Sequence, residues 1–463
     1  MDTNEEELNE ETIQRFENML KTNKILFFDS EEFEDLILYY LDSGKVNLSK
    51  KALKLALEQH PNSLGIKIAQ SELLIFEDKL DLAMTLLNEI EELDPENDEV
   101  YFQKSTIFSK QGFHKQAIEM LEKAHPLTED VSEVFMLIGL EYLYLEEFEQ
   151  AIHYFKKCLK ENPNDHSAIL NTMYCYDILD DTVASISFLE SFIDGNPYSE
   201  LAWQQLGKQL YKTKDFESAV NAFDMAIVID EFFSGAYVEK GKSLEKCERY
   251  EEAIRTYSDL LKIEESSAFV YTRIGYCYDR LKMNKQALFY YLKAVHEDPL
   301  FERSWIYITD LYIRFNKLDK ALHFINKALG IDEQNYTYWR KFASVNEGLG
   351  YDEEAELGYR KAIEYGDDQL DTWLNWIDIL VRLNEGDLAL EKINKALVKY
   401  GDHSGLMFRK AGVLFQTEQL DQGSSSLKNA LHINPTDTTI LEQKFPLVWD
   451  LEIVKQIIQN YNS

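Results

Sequence analysis

Apolar residues recur three or four positions apart through nearly the whole chain, and the phase resets at fixed intervals. In residues 200–233, Trp203, Leu206 and Leu210 fall on one helical face, and Ala219, Phe223 and Ala226 fall on another. Lys214-Asp215 lies between them and reads as a turn. The stretch predicts a helical hairpin whose two helices approach closely at Gly207 and Ala219, where little or no side chain keeps them apart. Such a hairpin cannot bury its apolar face alone.

The unit recurs every 34 residues without insertion or deletion. Its first position falls at Ser30, Leu64, Asp98, Ser132, His166, Glu200, Ser234, Ala268, Glu302, Tyr336, Leu370 and Ser404. Position 20 is small in every unit: Ser49, Ser185, Gly423 and, in the other nine, alanine. Position 32 is proline at Pro61, Pro95, Pro163, Pro197, Pro299 and Pro435, where it stops the second helix. Ser30, Ser132, Ser234 and Ser404 are the expected N-caps of their first helices.

The order Trp203, Leu206, Gly207, then Ala219, Phe223 and Ala226, with proline at position 32, resembles the tetratricopeptide repeat (TPR). The resemblance implies an all-α fold: a right-handed superhelical α-solenoid of about twelve TPR helical hairpins over residues 30–437. Residues 1–29 are then an acidic segment, disordered to about residue 10, followed by a capping helix. Residues 438–463 are capping helices that shield the last core. The run FFDSEEFEDLILYYLDSGK resembles the opening of long bacterial TPR arrays of the Bacteroidetes type, which implies no activity. What the family does imply is protein–protein interaction: a scaffold or adaptor that binds peptide segments in its concave groove. The alternative is a chaperone-like or secretion and assembly helper that holds client proteins.

Composition narrows this. The formal charge is −35, which repels nucleic acid and anionic membrane surfaces and argues against a helical-repeat RNA binder. No apolar run approaches the ~18 residues of a membrane span, and the acidic start has no cationic, apolar leader, so a cytoplasmic protein without membrane insertion is expected. Cys158, Cys175, Cys247 and Cys277 fall mostly on core positions and form no CxxC pair. The nine histidines form no HExxH or other metal-ligand pairing, and no GxGxxG after a strand, GxxxxGKS or GxSxG is present. No enzyme, cofactor or metal is expected. The oligomeric state is left open.

In TPR arrays, positions 2, 5, 6, 9, 12 and 13 of the first helix face the concave side. In repeats 1 to 5 these slots hold acids such as Glu31, Glu34, Asp35, Asp42, Glu72, Glu99, Glu133 and Asp177, with Lys110 the only base. Ile68, Phe102, Met136, Leu140, Leu170 and Tyr174 fill neighbouring slots. One reading is packing within a tight superhelix. The other is an apolar groove with acidic rims that takes a basic amphipathic helix or extended peptide, anchored by Phe102 and Met136. In repeats 6 to 12 the same slots carry twelve basic and seven acidic residues. Part of this excess is position 13, where a base complements the helix dipole. The remainder suggests a cationic groove for an acidic peptide, centred on Lys208, Lys242, Arg273, Arg303, Arg340 and Lys341, with Tyr276 and Tyr307 as flat contact surface. Arg340, Asn375 and Arg409 match the carboxylate clamp of chaperone-binding TPRs in kind, but Ser344 and Gly405 do not. Chaperone-tail binding is therefore not expected.

Overall fold

Amphipathic segments of 11 to 15 residues, each too short to persist alone, become helices by packing in pairs. The structure is a computed structural model that describes residues 3–22, 26–264 and 267–462, with side chains from Glu11 to Tyr461. Among the described residues there are helices and no strand. The first helix of a unit, helix A, starts at position 1 everywhere except in repeat 4, where it runs Val131–Tyr144. Helix B follows after a three-residue turn, as in Glu200–Lys212 and Phe216–Ile229 of repeat 6. The chain divides into two compact units, residues 1–231 and 232–463, each holding six hairpins. The all-α helical-repeat fold expected from the periodicity is the one observed.

Position 20 is the packing pivot. Every residue there is buried, from Ser49 to Gly423. Position 8 shows how closely the helices approach. A Cβ built on Gly139, Gly207, Gly241 or Gly275 would lie 2.4–2.6 Å from the ring at position 24 of the same unit, Phe155, Phe223, Tyr257 or Tyr291. Those rings are fully buried. Glycine is thus required by the aromatic that fills its place.

The turn between helix A and helix B is the same object twelve times. Position 15 has positive φ in every unit, from +53° at Asp180 and Asn316 to +80° at Gly350. The N–H of position 16 donates to the carbonyl of position 11, as Lys45 does to Tyr40 at 2.7 Å and Met283 to Tyr278 at 2.9 Å. The N–H of position 15 donates to position 12, as in Gly44 to Leu41 at 3.0 Å. Together these bonds close the helix with a Schellman motif. Only Gly44, Gly112 and Gly350 carry the residue this backbone favours; the other nine units put a side chain there. Left-handed backbone costs an L-residue roughly 1–2 kcal/mol, of which glycine's greater freedom when unfolded returns about half. Lys214→Gly is therefore expected to stabilise the first unit by roughly 0.5–1 kcal/mol. An unchanged denaturation midpoint would refute this account of the turn.

The expected serine N-caps are displaced by one residue. Helix A already includes position 1, so the cap is the residue before it. Asp29 accepts from the Glu32 N–H at 2.8 Å, and the Glu32 carboxylate accepts from the Asp29 N–H at 3.0 Å, a capping box. Ser63, Asp165 and Ser199 cap their helices alike. Ser30, Ser132, Ser234 and Ser404 lie inside the first turn.

Both ends are covered. The N-terminal helix runs Thr3–Thr22, so residues 3–10 are helical rather than disordered, consistent with acids favouring a helix N-terminus; Met1 and Asp2 lie outside the described residues. Phe16 is fully buried against Phe28 and Tyr40, at 5.9 Å from each ring, which contributes about 1.5–3 kcal/mol. At the other end, Pro446 does more than stop the helix Thr439–Lys444: it opens a short turn, Pro446–Trp449, before the last helix, Glu452–Asn462. Leu441, Phe445, Val448 and Val454 join the core of the last repeats.

Candidate functional site

Helix A of repeats 1 to 4 contributes the walls of an open cavity of about 570 Å³ in the first unit. Asp42, Glu72, Glu99 and Glu133, one from each of four successive repeats, give it acidic walls. Phe76 and Phe102 give it an apolar floor, with Leu41, Ile75 and Leu137 beside them. Gln103, almost fully buried, fixes one wall: its amide donates to the Glu99 carboxylate at 3.1 Å and accepts from the Ser71 hydroxyl.

Three of these acids, Glu72, Glu99 and Glu133, are held where charge is less favourable than in water. Burial raises the Glu99 carboxyl above its ordinary value, and Asp98 and Glu133 raise it further against the Gln103 bond. Burial likewise raises Glu72, reinforced by Glu99 and Asp42, and Glu133, reinforced by Asp130 and Asp98. Glu34 and Asp35 of repeat 1 are raised in the same way. Among the described residues no ion pair reaches Asp42, Glu72, Glu99 or Glu133. Lys110, the one base in the lining, is spent on the Ile75 carbonyl at 3.0 Å. Among the described residues no group of three or more His, Cys, Asp or Glu side chains could hold a metal ion. The arrangement suits an organic cation on an apolar stem.

Of the apolar candidates read from sequence, Phe102 lines this cavity and the others do not. Ile68 packs against the core of repeats 2 and 3. Met136 and Leu140 pack against that of repeats 4 to 6, so Met136 is not an anchor here. Leu170 and Tyr174 stand open at 47% and 50% exposure, one turn apart on helix A of repeat 5. Sequence reasoning missed Phe76, which is 53% exposed. The signal was present: position 13 is normally basic, yet repeats 2, 4 and 5 place Phe76, Tyr144 and Ile178 there, all exposed.

The expected cationic groove is largely self-neutralised. Arg273 holds the Glu245 carboxylate with two nitrogens and lies 5.1 Å over the Tyr276 ring. Lys242 pairs with Glu239 at 2.9 Å, Arg340 with Asp367 at 3.2 Å, and Lys341 with Asp310. Arg314 pairs with Asp279 at 2.6 Å, and Arg382 with Glu347 at 3.1 Å. Most of these are bonds between successive helices A, so the excess of bases works as a ladder that stitches repeat to repeat. The Tyr276 and Tyr307 rings lie 6.1 Å apart and tilted, and Tyr307 stacks on the buried Tyr291 ring at 5.2 Å. Lys208, in the first unit, and Arg303, in the second, make no ion pair among the described residues. Arg409, one of the clamp-like residues, is buried on Asp378.

Three of the four cysteines, Cys158, Cys175 and Cys277, are buried and poor nucleophiles. Burial pushes Cys158 and Cys175 up to about 11 and Cys277 up to about 12.

The tetratricopeptide repeat profile matches residues 132–165, 234–267 and 270–299. A TPR repeat-containing protein of Methanocaldococcus jannaschii is 22% identical over 457 residues, covering 89% of this chain and 72% of its own length. Among solved structures, a tetratricopeptide repeat protein from Parabacteroides merdae aligns with TM-score 0.37 and 14% identity over 57% of this chain and 99% of its own. YrrB, described as a TPR protein with an unusual peptide-binding site, aligns with TM-score 0.33 and 19% identity over 40% of this chain and 95% of its own. No helix among the described residues is long and apolar enough to cross a membrane. Three profile matches fall in the register that the glycines, the buried position 20 and the twelve identical turns define, so the chain carries tetratricopeptide repeats at these positions.

Proposed function

We propose that this protein is a non-catalytic interaction scaffold, and that the cavity of repeats 1 to 4 takes a basic, amphipathic peptide segment of a partner protein. The observation that carries the reading is the set of four acids around an apolar floor, left without a counter-cation among the described residues, with Glu72, Glu99 and Glu133 raised by burial. A lysine or arginine of a ligand supplies that cation, and its neighbouring apolar side chain covers Phe76 and Phe102. A cavity of about 570 Å³ holds a few side chains, not a folded domain. The same surface would serve a helper that holds basic clients, and the two roles differ only in what the partner does afterwards.

The test is a display library of random 12-residue peptides panned against the whole protein. Enriched sequences should pair Lys or Arg with Leu, Phe or Trp. The Phe76→Ala, Phe102→Ala double variant should lose about tenfold or more in affinity for them, since each ring covers apolar area worth about 1 kcal/mol or more. Enrichment without basic residues, or affinity indifferent to the double variant, would end this reading.

A further inference from the structure

A second cavity, about 740 Å³, opens on the other unit, between the A–B turns of repeats 8 and 9. Its rim is Lys282 and Lys285 from one repeat and Lys317 and Lys320 from the next. None of the residues lining it is acidic, in a chain with 83 acids against 48 bases. Among the described residues none of these four ammonium groups has an ion-pair partner, although Arg314 and Lys341 of the neighbouring helices do. The floor is apolar: Met283, Leu288, Tyr312 and Phe315, with the Lys320 nitrogen 5.6 Å from the Tyr312 ring centroid.

Turn chemistry does not explain these lysines. The equivalent well between repeats 10 and 11 is lined by Glu353, Glu356 and Glu385 with Arg360 and Lys392, and Arg360 pairs with Glu356 at 3.2 Å. Lys285 and Lys320 also sit in the first turns of the helices Asn284–Glu297 and Leu318–Ile331, where the dipole disfavours a cation. Several other second helices hold acids in that turn, such as Glu217, Glu251, Glu252 and Asp352, whereas Asn284–Glu297 holds none and Leu318–Ile331 sets Asp319 beside Lys320. Neither of the two helices has a side-chain cap. The cluster therefore costs the free fold something, and the contact of Lys320 with the Tyr312 ring is what it returns.

We propose that this cavity binds an acidic peptide segment carrying a large apolar side chain. The apolar group fills the floor, and flanking carboxylates meet the four lysines and the uncapped helix N-termini. The amide oxygen of Asn284, buried without a hydrogen-bond partner, accepts a backbone N–H of the peptide. Nucleic acid fits less well. A short acidic segment meets only local charge, because fields fade beyond ~8 Å at physiological salt. A long polyanion would extend over the surrounding acidic surface. The site is distinct from the acidic cavity and opposite in sign.

The probe is a fluorescein-labelled peptide of sequence Glu-Glu-Phe-Asp-Glu-Leu-Glu-Glu, followed by anisotropy with the full chain. The Lys285→Glu, Lys320→Glu variant should lose at least tenfold in affinity, and the probe with Ala in place of its Phe several-fold. The variant should melt no lower than the parent, because each change replaces a cation with an acid in a helix first turn. It should also keep its affinity for peptides of the basic class, which separates this site from the one in the first unit. No binding by the parent, or equal binding by the variant, would overturn the proposal. So would a single-stranded oligonucleotide of the same charge that binds as tightly and is lost in the same variant.

Discussion

Arg409→Met is expected to destabilise the second unit by about 3–5 kcal/mol, the cost of leaving one buried charge without its partner. Asp378 and Arg409 are both almost fully buried. The guanidinium donates to the two carboxylate oxygens at 2.6 and 2.9 Å and to the Gly405 carbonyl at 3.1 Å. Lys444 adds a contact to Asp378 at 3.0 Å but is itself largely in water. Removing Arg409 leaves a buried carboxylate with one solvated cation. Removing both members, as in Asp378→Leu with Arg409→Met, strands no charge and should restore most of the loss. Chemical denaturation followed by tryptophan fluorescence reads this unit well: Trp305, Trp339, Trp373, Trp376 and Trp449 lie in it, and only Trp203 lies outside. A loss below about 1 kcal/mol, as for a solvated surface pair, would show that the ladder is not structural.

Glu72→Gln with Glu99→Gln should move stability and binding in opposite directions. Both carboxyls are raised above 4.5 by burial, then by neighbouring acids. A raised acid favours the folded state fully below its unfolded value, and that contribution is lost as pH rises through the folded value. Ionisation of either group works against this preference, so neutral glutamines should raise the melting temperature. A bound lysine or arginine needs the charge they remove. Hydrogen bonds to charged groups contribute about 1.5–3 kcal/mol, so affinity for the basic peptide should fall about tenfold per site. In the parent protein the same affinity should weaken as pH falls through the raised values of these acids, because they take up protons, and the glutamine variant should lack that dependence. Melting and anisotropy followed across an acidic pH series check this. A variant that melts lower than the parent, or binds the basic peptide as before, would contradict the assignment.

Much of this molecule could be read from its residues. The register followed from position 20 and the prolines at position 32, because a helical hairpin tolerates only small side chains where its helices touch. Glycine at position 8 could be foreseen as a close approach, though not that Phe223 itself fills the gap at Gly207. The place of the turns was legible, as at Lys214-Asp215, but not their left-handed backbone, because nine of the residues that adopt it are Asp, Glu, Lys or Asn rather than glycine. Formal charge misled where partners mattered. Counting Arg273 and Lys341 as free cations ignored Glu245 and Asp310, which lie about one repeat away in sequence and in contact across the stack. The acidic slots of repeats 1 to 4 were recognised in the sequence, but Phe76 was passed over because position 13 is read by habit as basic.

The twelve equal turns also bear on how such a chain is made. The bond that closes each hairpin spans five residues, and the ladder bonds between repeats, such as Arg314 to Asp279, span 35. No step of folding has to bring together ends much farther apart than one unit, so loop closure stays cheap however long the chain becomes. Ribosomal synthesis delivers residues in seconds, far more slowly than a helical hairpin forms. Each repeat can therefore dock on its predecessor while the next is still being polymerised. The growing protein then never exposes much more than one unsealed apolar face, and its crowded, aggregation-prone interval is as short as that of a chain a tenth of its length.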